Sequence, residues 1–286
     1  MSFLADAQAV LTGAIARLTV HYGRDRVFAG GDLPGPRRLK VPTRHGRVRC
    51  EVYTDPHRTD PAPVHVHLHG GAFLMRYPRM DDFWCRYLVA EAGVTVVNVD
   101  YDIAPRRRYP VAQEQAHDVL AWVQRYGDWD RSRLTVSGFS AGGNLAASAC
   151  LQAADLGTPL PRLQLLGVPS LDVSTTDKPA PSGAMISPAV IDLVRKTYFR
   201  DADRRTEPYA SPLLATSLAG QAPAFVVTAS RDRLRAEAVA YVARLQDAGV
   251  PVEHLDLVGR DHYFLDGPAE DARRVMQTMA TAVANA

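Results

Sequence analysis

Cysteine is scarce in this chain: Cys50, Cys85 and Cys150 are the only three in 286 residues. An odd, widely spaced set offers neither a disulfide framework nor metal-ligand spacing. Cys85 and Cys150 fall inside predicted helices, so buried free thiols are expected. An excess of one charge is missing too. Lys and Arg total 33 against 31 Asp and Glu, a formal net charge of +2. That argues against a nucleic-acid partner, because phosphate binding needs clustered cations. The run Arg106-Arg107-Arg108 is short and reads as a solvated loop rather than an anion site. No Lys or Arg precedes the first apolar run, and Asp6 interrupts it, so the N-terminus resembles neither a secretion signal nor a membrane span. A soluble, cytoplasmic protein without stable membrane insertion is the expectation. Internal repeats and low-complexity segments are absent.

What is present is a regular alternation. Phe3, Leu4, Ala7, Val10, Leu11, Ala14, Ile15 and Leu18 recur at helical spacing, predicting an amphipathic helix over about 3–20 that covers apolar surface, as a core flank or a lid. Residues about 38–43 and 46–54 alternate as a hairpin around Arg44-His45-Gly46. From Pro63 strands and helices then take turns: a strand at Val64–Leu68, a helix over about 80–92, a strand at Val94–Val99, and a helix from Pro110 to about Tyr126. A strand ending at Gly138, a helix after Ser140 and a strand near Leu163–Leu166 follow. The strands are apolar throughout, which predicts a mostly parallel sheet with helices on both faces, an α/β fold.

Between Pro169 and Pro223 the rhythm breaks into a loop rich in Ser, Thr, Asp and Pro with one helix near Pro188–Phe199. A long excursion inside an α/β domain is more often a cap over a site than a structureless loop. The pattern then resumes with a strand at Ala224–Ala229, a helix over about 235–247, a strand at Val252–Leu257 and a terminal helix over about 268–284. The expected division is 1–36 as an N-terminal helix and loop contributing to the cap, 37–168 and 211–286 as two parts of one α/β domain, and 169–210 as the cap excursion.

Gly138-Phe139-Ser140-Ala141-Gly142-Gly143 joins a predicted strand to a predicted helix and reads as a nucleophile elbow, which lifts a serine hydroxyl clear of the backbone. Gly138 and Gly142 allow the close strand-helix approach such a turn needs. The helix opening at Ala141 aims its first amides at the reacting centre. Ser140 then requires a base, a group to orient that base, and donors for an oxyanion. His69-Gly70-Gly71-Ala72-Phe73 follows a strand, so the amides of Gly71 and Ala72, with that of Ala141, are the candidate donors. Of nine histidines, His262 alone lies beyond the final predicted strand, in the loop where a base belongs, whereas His254 lies within that strand. Asp232, just past Ala224–Ala229, is the candidate orienting acid. Asp261 competes, but neighbours in one loop seldom fold back to meet.

These segments, together with Val99-Asp100-Tyr101, Ala104-Pro105, Tyr109-Pro110, Gly138–Leu145, Ser211-Pro212-Leu213 and Asp232 with Leu234, resemble the hormone-sensitive-lipase-like branch of α/β-hydrolase esterases from about Val64 to the end. The resemblance implies an α/β-hydrolase fold with a small helical cap and carboxylic-ester hydrolysis without metal or cofactor. It also implies Ser140, Asp232 and His262 as triad, Gly71, Ala72 and Ala141 as oxyanion hole, and Asp100-Tyr101 and Ser211-Pro212 as scaffold. Four positions depart from the family's pattern: Ala72 replaces a third glycine, Phe139 a common acid, Arg233 the proline after the acid, and Tyr263 a glycine after the histidine.

The expected substrate is a small ester with a short to medium acyl chain, bound by Phe73, Tyr77, Met185, Ile186 and Tyr198, side chains equally suited to an ordinary core. Amide or formamide hydrolysis would use the same parts. A receptor using the pocket without turnover is a rival that an intact triad disfavours, and a lipase would need a larger apolar entrance. A homodimer is compatible with all of these.

Overall fold

Where charged and apolar residues alternate, as in Arg47-Val48-Arg49-Cys50-Glu51-Val52, one face of the strand meets water and the other the core. That stretch forms an edge hairpin of β1 (Arg37–Thr43) and β2 (Gly46–Tyr53). Where apolar residues run on, the strands are buried on both faces: β3 (Pro63–Leu68), β4 (Thr95–Asp100), β6 (Gln164–Gly167) and β7 (Ala224–Ala229). The long β5 (Asp130–Phe139) and the outer β8 (Val252–Leu257) complete the sheet in this computed structural model, which describes residues 2–20, 22, 23 and 25–286.

The strand order is β1-β2-β4-β3-β5-β6-β7-β8. β1 pairs antiparallel with β2 and β2 with β4, and every other pair is parallel. The chain leaves β3 for β4 on one side, yet β5 lies on the other. The loops after β3 and β5 therefore part and open a crevice at the carboxyl ends of the strands. On one sheet face Val66, Val97, Val136 and Val226 pack with Leu145 of α4 (Ala141–Leu156), Ala116 of α3 (Val111–Val123) and Tyr241 of α6 (Arg235–Asp247). On the other, Val96, Leu165 and Val227 pack with Trp84 of α2 (Asp82–Tyr87) and Met276 of α7 (Ala269–Ala284). Each such Val, Leu or Met side chain contributes ~1.5–3 kcal/mol by leaving water. All three cysteines are free and buried.

Two elements differ from expectation. The helix foreseen over 80–92 is built in three hydrogen-bonding registers: a 3-10 turn at Pro78–Asp81, then α2, then a π turn at Leu88–Ala92 that stops at left-handed Gly93. The second difference is larger. α1 (Ser2–Thr19) forms, but its large apolar stripe does not cover the core. Phe3, Leu4 and Leu18 are at least three-quarters exposed, at 80, 75 and 76%. Ala5, Ala9, Gly13 and Ala16 face inward instead. The reason is proximity: a Cβ on Gly13 would stand 2.6 Å from the Leu74 carbonyl oxygen, so only a small-residue face can come this close. Arg108, from the basic run, ties the helix down through Asp6 at 2.7 Å.

The excursion after β6 carries α5 (Pro188–Thr197), whose N-terminus is capped by Ser187, and α5 packs against α1. Its flanks are stitched to the main body, Leu213 N–H to Leu171 O at 3.0 Å and Val173 N–H to Ser211 Oγ at 2.9 Å. No helix among the described residues is long and apolar enough to cross a membrane.

Candidate active site

β5 ends at Phe139 and α4 begins at Ala141, so Ser140 makes the whole turn, at φ +56° and ψ −115°. An L-residue held there stores ~1–3 kcal/mol of strain, which the surroundings must over-determine. They do so by contact. A Cβ on Gly138 would lie 2.1 Å from the Gly142 carbonyl oxygen, and one on Gly142 would lie 1.8 Å from that of Leu68. The Ser140 amide donates to Gly167 O at 2.8 Å, which holds the turn against β6.

His262, in the loop after β8, stands between Ser140 and Asp232. Its Nδ1 is 2.9 Å from Asp232 Oδ2 and its Nε2 is 2.9 Å from Ser140 Oγ. Asp232 and His262 are 3% and 6% exposed, so the pair is buried. A carboxylate only accepts, which assigns the ring proton to Nδ1 and leaves the Nε2 lone pair facing the serine hydroxyl. The second carboxylate oxygen, Oδ1, accepts the Leu234 amide at 3.1 Å. Asp261 is elsewhere: its Oδ1 accepts the His262 backbone N–H at 2.7 Å and its Oδ2 that of Met185 at 3.1 Å. His254 on β8 meets Thr228 Oγ1 at 2.8 Å, away from the serine.

The loop after β3 turns through three consecutive positive φ angles, Gly71 at +118°, Ala72 at +54° and Phe73 at +56°. Gly71 and Ala72 border the cavity that Ser140 and His262 border, and Ala141 adjoins the serine at the head of α4. His69 is stacked on Tyr101 with ring centroids 4.3 Å apart, and the Tyr101 hydroxyl donates to His69 O at 2.7 Å. Burial lowers the pKa of His69.

A buried polar chain supports this loop from beneath, and nothing in the sequence reading anticipated it. Asp81 Oδ2 accepts from His67 Nε2 at 3.0 Å and from the Gly70 amide at 3.3 Å. Ser137 Oγ is 2.7 Å from His67 Nδ1 and 2.6 Å from His65 Nε2, and His65 Nδ1 is 2.7 Å from Thr135 Oγ1. With both rings neutral, one proton order satisfies every link from Thr135 to Asp81. Burial, then the neighbouring His67, keeps His65 neutral by pushing its pKa well down. The available signal was the spacing of His65 and His67 on one face of β3, opposite Thr135 and Ser137.

Two cavities meet at Ser140. The larger, about 240 Å³, is lined by His262, Gly71, Met185, Leu193, Tyr22 and Tyr263, among others. The smaller, about 50 Å³, is lined by Phe73, Ala141, Val173, Val194 and Leu234. Ile186 and Val190 border both. Phe73, Met185 and Ile186 are thus at the site, whereas two expected lining residues are not. Tyr198 is fully buried behind Phe73, stacked on it at 4.7 Å, with its hydroxyl donating to Gln113 Oε1 at 2.8 Å. Tyr77 borders an adjoining cleft with Arg79, Phe83 and Arg86, which shares Tyr22 and Met80 with the larger cavity but does not reach Ser140. Apolar rings fill a core as readily as a pocket, and here the core took one of them.

The four departures also have places. Phe139 packs edge-on against His67 and Phe264, at 5.2 and 5.5 Å, and Tyr263 stacks on Tyr22 at 4.6 Å in the larger cavity. Arg233 donates to the carbonyls of Ile186 and Lys178. Ala72 keeps the backbone amide of a glycine.

A family model described as the alpha/beta hydrolase fold matches residues 65–266. The chain is 33% identical over 252 residues to a carboxylic ester hydrolase, LipN, of Mycobacterium tuberculosis, spanning 82% of this chain and 67% of that protein. It is 32% identical over 237 residues to an ethyl acetate hydrolase of Pseudomonas putida, 79% of this chain and 74% of that one. Among solved structures it is similar to an esterase of Pyrobaculum calidifontis, with a TM-score of 0.83 and 28% identity over 100% of this chain and 93% of that one.

Proposed function

The chain belongs to the α/β-hydrolase family, in its hormone-sensitive-lipase-like branch of carboxylic ester hydrolases, and from that premise we propose that Ser140 is its nucleophile, His262 its base and Asp232 the acid that orients the base. The observation that carries this reading is the pair of 2.9 Å contacts on either side of one imidazole. His262 takes the hydroxyl proton as Ser140 attacks the ester carbonyl, and Asp232 stabilises the imidazolium. The tetrahedral oxyanion rests on the amides of Gly71, Ala72 and Ala141, where losing one donor costs ~100- to 1000-fold in rate. Nε2 then returns the proton to the departing alcohol, and water repeats the cycle on the acyl-enzyme.

That proton return assigns the two cavities. The alcohol oxygen must lie at Nε2, so the alcohol occupies the cavity that His262 lines, about 240 Å³, and the acyl group the other, about 50 Å³. One water needs ~10–15 Å³ of such space, so the acyl side takes a short chain while the alcohol side admits a bulkier apolar group. The relative named for ethyl acetate is in keeping with a short acyl group.

The test is a panel of nitrophenyl esters of graded acyl length on the native chain and on Ser140→Ala. Turnover is expected to peak at about four acyl carbons or fewer and to vanish in the variant. Retained turnover in Ser140→Ala would refute the mechanism.

A further inference from the structure

The excursion returns to the site as a strap, residues 178–187, and its fastenings come from the neighbours of the candidate acid and base. Arg233, one residue past Asp232, donates from Nε to Ile186 O at 2.7 Å and from Nη1 to Lys178 O. Asp261, one residue before His262, accepts the Met185 amide at 3.1 Å. Between these points residues 179–184 are exposed or half-buried. A guanidinium bonded to two carbonyls holds more firmly than a neutral donor does. A proline at 233, the residue that usually follows the acid in this family, would have no side-chain donor to offer.

The strap ends where selectivity would be set. Ile186 borders both cavities, as does Val190 in the first turn of α5, which starts two residues later. Together with Ala72, which also borders both, these two side chains lie between the acyl and alcohol spaces, and Arg233 fixes the backbone of one of them. We propose that Arg233, aided by Asp261, is a positioning residue that clamps the strap and so sets acyl-length selectivity. This rests on reading Ser140 as the nucleophile and the two cavities as acyl and alcohol sites. Neither clamp residue contacts the reacting atoms. Freed of its Arg233 bonds, Ile186 can retreat, and the acyl space opens into the larger cavity.

Arg233→Met keeps the aliphatic stem and removes the donors, and Arg233→Lys restores one charged donor. Three measurements on native and variant chains decide the matter: kcat and KM on nitrophenyl acetate and hexanoate, labelling of Ser140 by a fluorophosphonate, and thermolysin cleavage within 179–184 located by mass spectrometry. In Arg233→Met, kcat on acetate stays within about threefold, while the hexanoate-to-acetate ratio of kcat/KM rises about tenfold, chiefly through KM. Strap cleavage quickens about tenfold, and Arg233→Lys falls between the two chains on both scales. An ester ratio within about twofold of native overturns the proposal, whatever the cleavage does. If Arg233→Met does not fold, the same criteria apply to Arg233→Lys. Should the native chain resist labelling at Ser140, the esterase mechanism falls, and unchanged cleavage would then remove the clamp as well.

Discussion

Asp232→Asn removes one atom's worth of charge from the site and, by the hydrogen bonds around it, should reverse the imidazole's tautomer. Asp232 uses both carboxylate oxygens: Oδ1 takes the Leu234 amide at 3.1 Å and Oδ2 takes His262 Nδ1 at 2.9 Å. Asparagine has a single acceptor oxygen. The Leu234 amide is a fixed donor at the head of α6 and cannot become an acceptor, so it claims that oxygen. The NH₂ group is left pointing at Nδ1, which must then present its lone pair and pass the ring proton to Nε2. A protonated Nε2 cannot accept from Ser140. The wrong tautomer in such a triad costs about 10⁴-fold in kcat, or ~5.5 kcal/mol of transition-state stabilisation. KM should hardly move, because Asp232 borders neither cavity. Steady-state hydrolysis of nitrophenyl butyrate, with a melting curve to show that the variant folds, reads this directly. A folded Asp232→Asn within tenfold of native kcat, or one altered only in KM, would refute the tautomer reasoning.

Other outcomes follow from the same coordinates. Gly142→Ala would put a methyl 1.8 Å from Leu68 O and 2.6 Å from His69 O, both backbone atoms. It should force β3 and α4 apart and lower Tm by about 5 °C or more, checked by circular dichroism; an unchanged Tm would show that the elbow has slack. Glu237, buried with Lys178, has its carboxyl pushed up to about 7, chiefly by burial. A folded-state pKa above the ordinary 4.5 means that the native protein binds the extra proton, so this group's stabilisation is present at low pH and lost as pH rises through about 7. Glu237→Gln, which keeps an acceptor for the Leu171 amide, should therefore gain Tm relative to native between pH 5 and pH 8; a gap that is constant or shrinks would contradict this.

Much of the architecture was legible because the signals are local. Continuous apolar runs mark the inner strands, and period-two alternation marks the β1–β2 hairpin. Both depend only on residues a few positions apart. The elbow was legible for a similar reason. A strand-to-helix turn through one residue demands glycine at Gly138 and Gly142, and the demand is written into adjacent positions. Chain order then pointed to Asp232 and His262 in the loops after β7 and β8, and the parallel sheet brings both to Ser140.

What stayed hidden depends on register and proximity between distant segments. The chain of His65, Ser137, His67 and Asp81 exists because β3 pairs with β5 so that His65 lies opposite Thr135 and His67 opposite Ser137. Periodicity cannot supply that offset. The pattern of α1 showed an apolar stripe, yet the space beside Leu74 admits only the small-residue face. Tyr198 and Tyr77 look like pocket residues in sequence, because an aromatic ring suits a core, a cleft or a binding site equally well. Arg233 reads as a missing proline until the fold sets it beside Ile186. The sequence by itself determined which elements form and which chemical groups sit at their ends, since those rest on short-range sterics and hydrophobic spacing. Only the tertiary structure decided which face each helix buries, how the polar side chains link beneath the loop after β3, and where one space beside Ser140 divides into two. Those outcomes are set by contacts between residues far apart in the chain, whose distances no local pattern encodes.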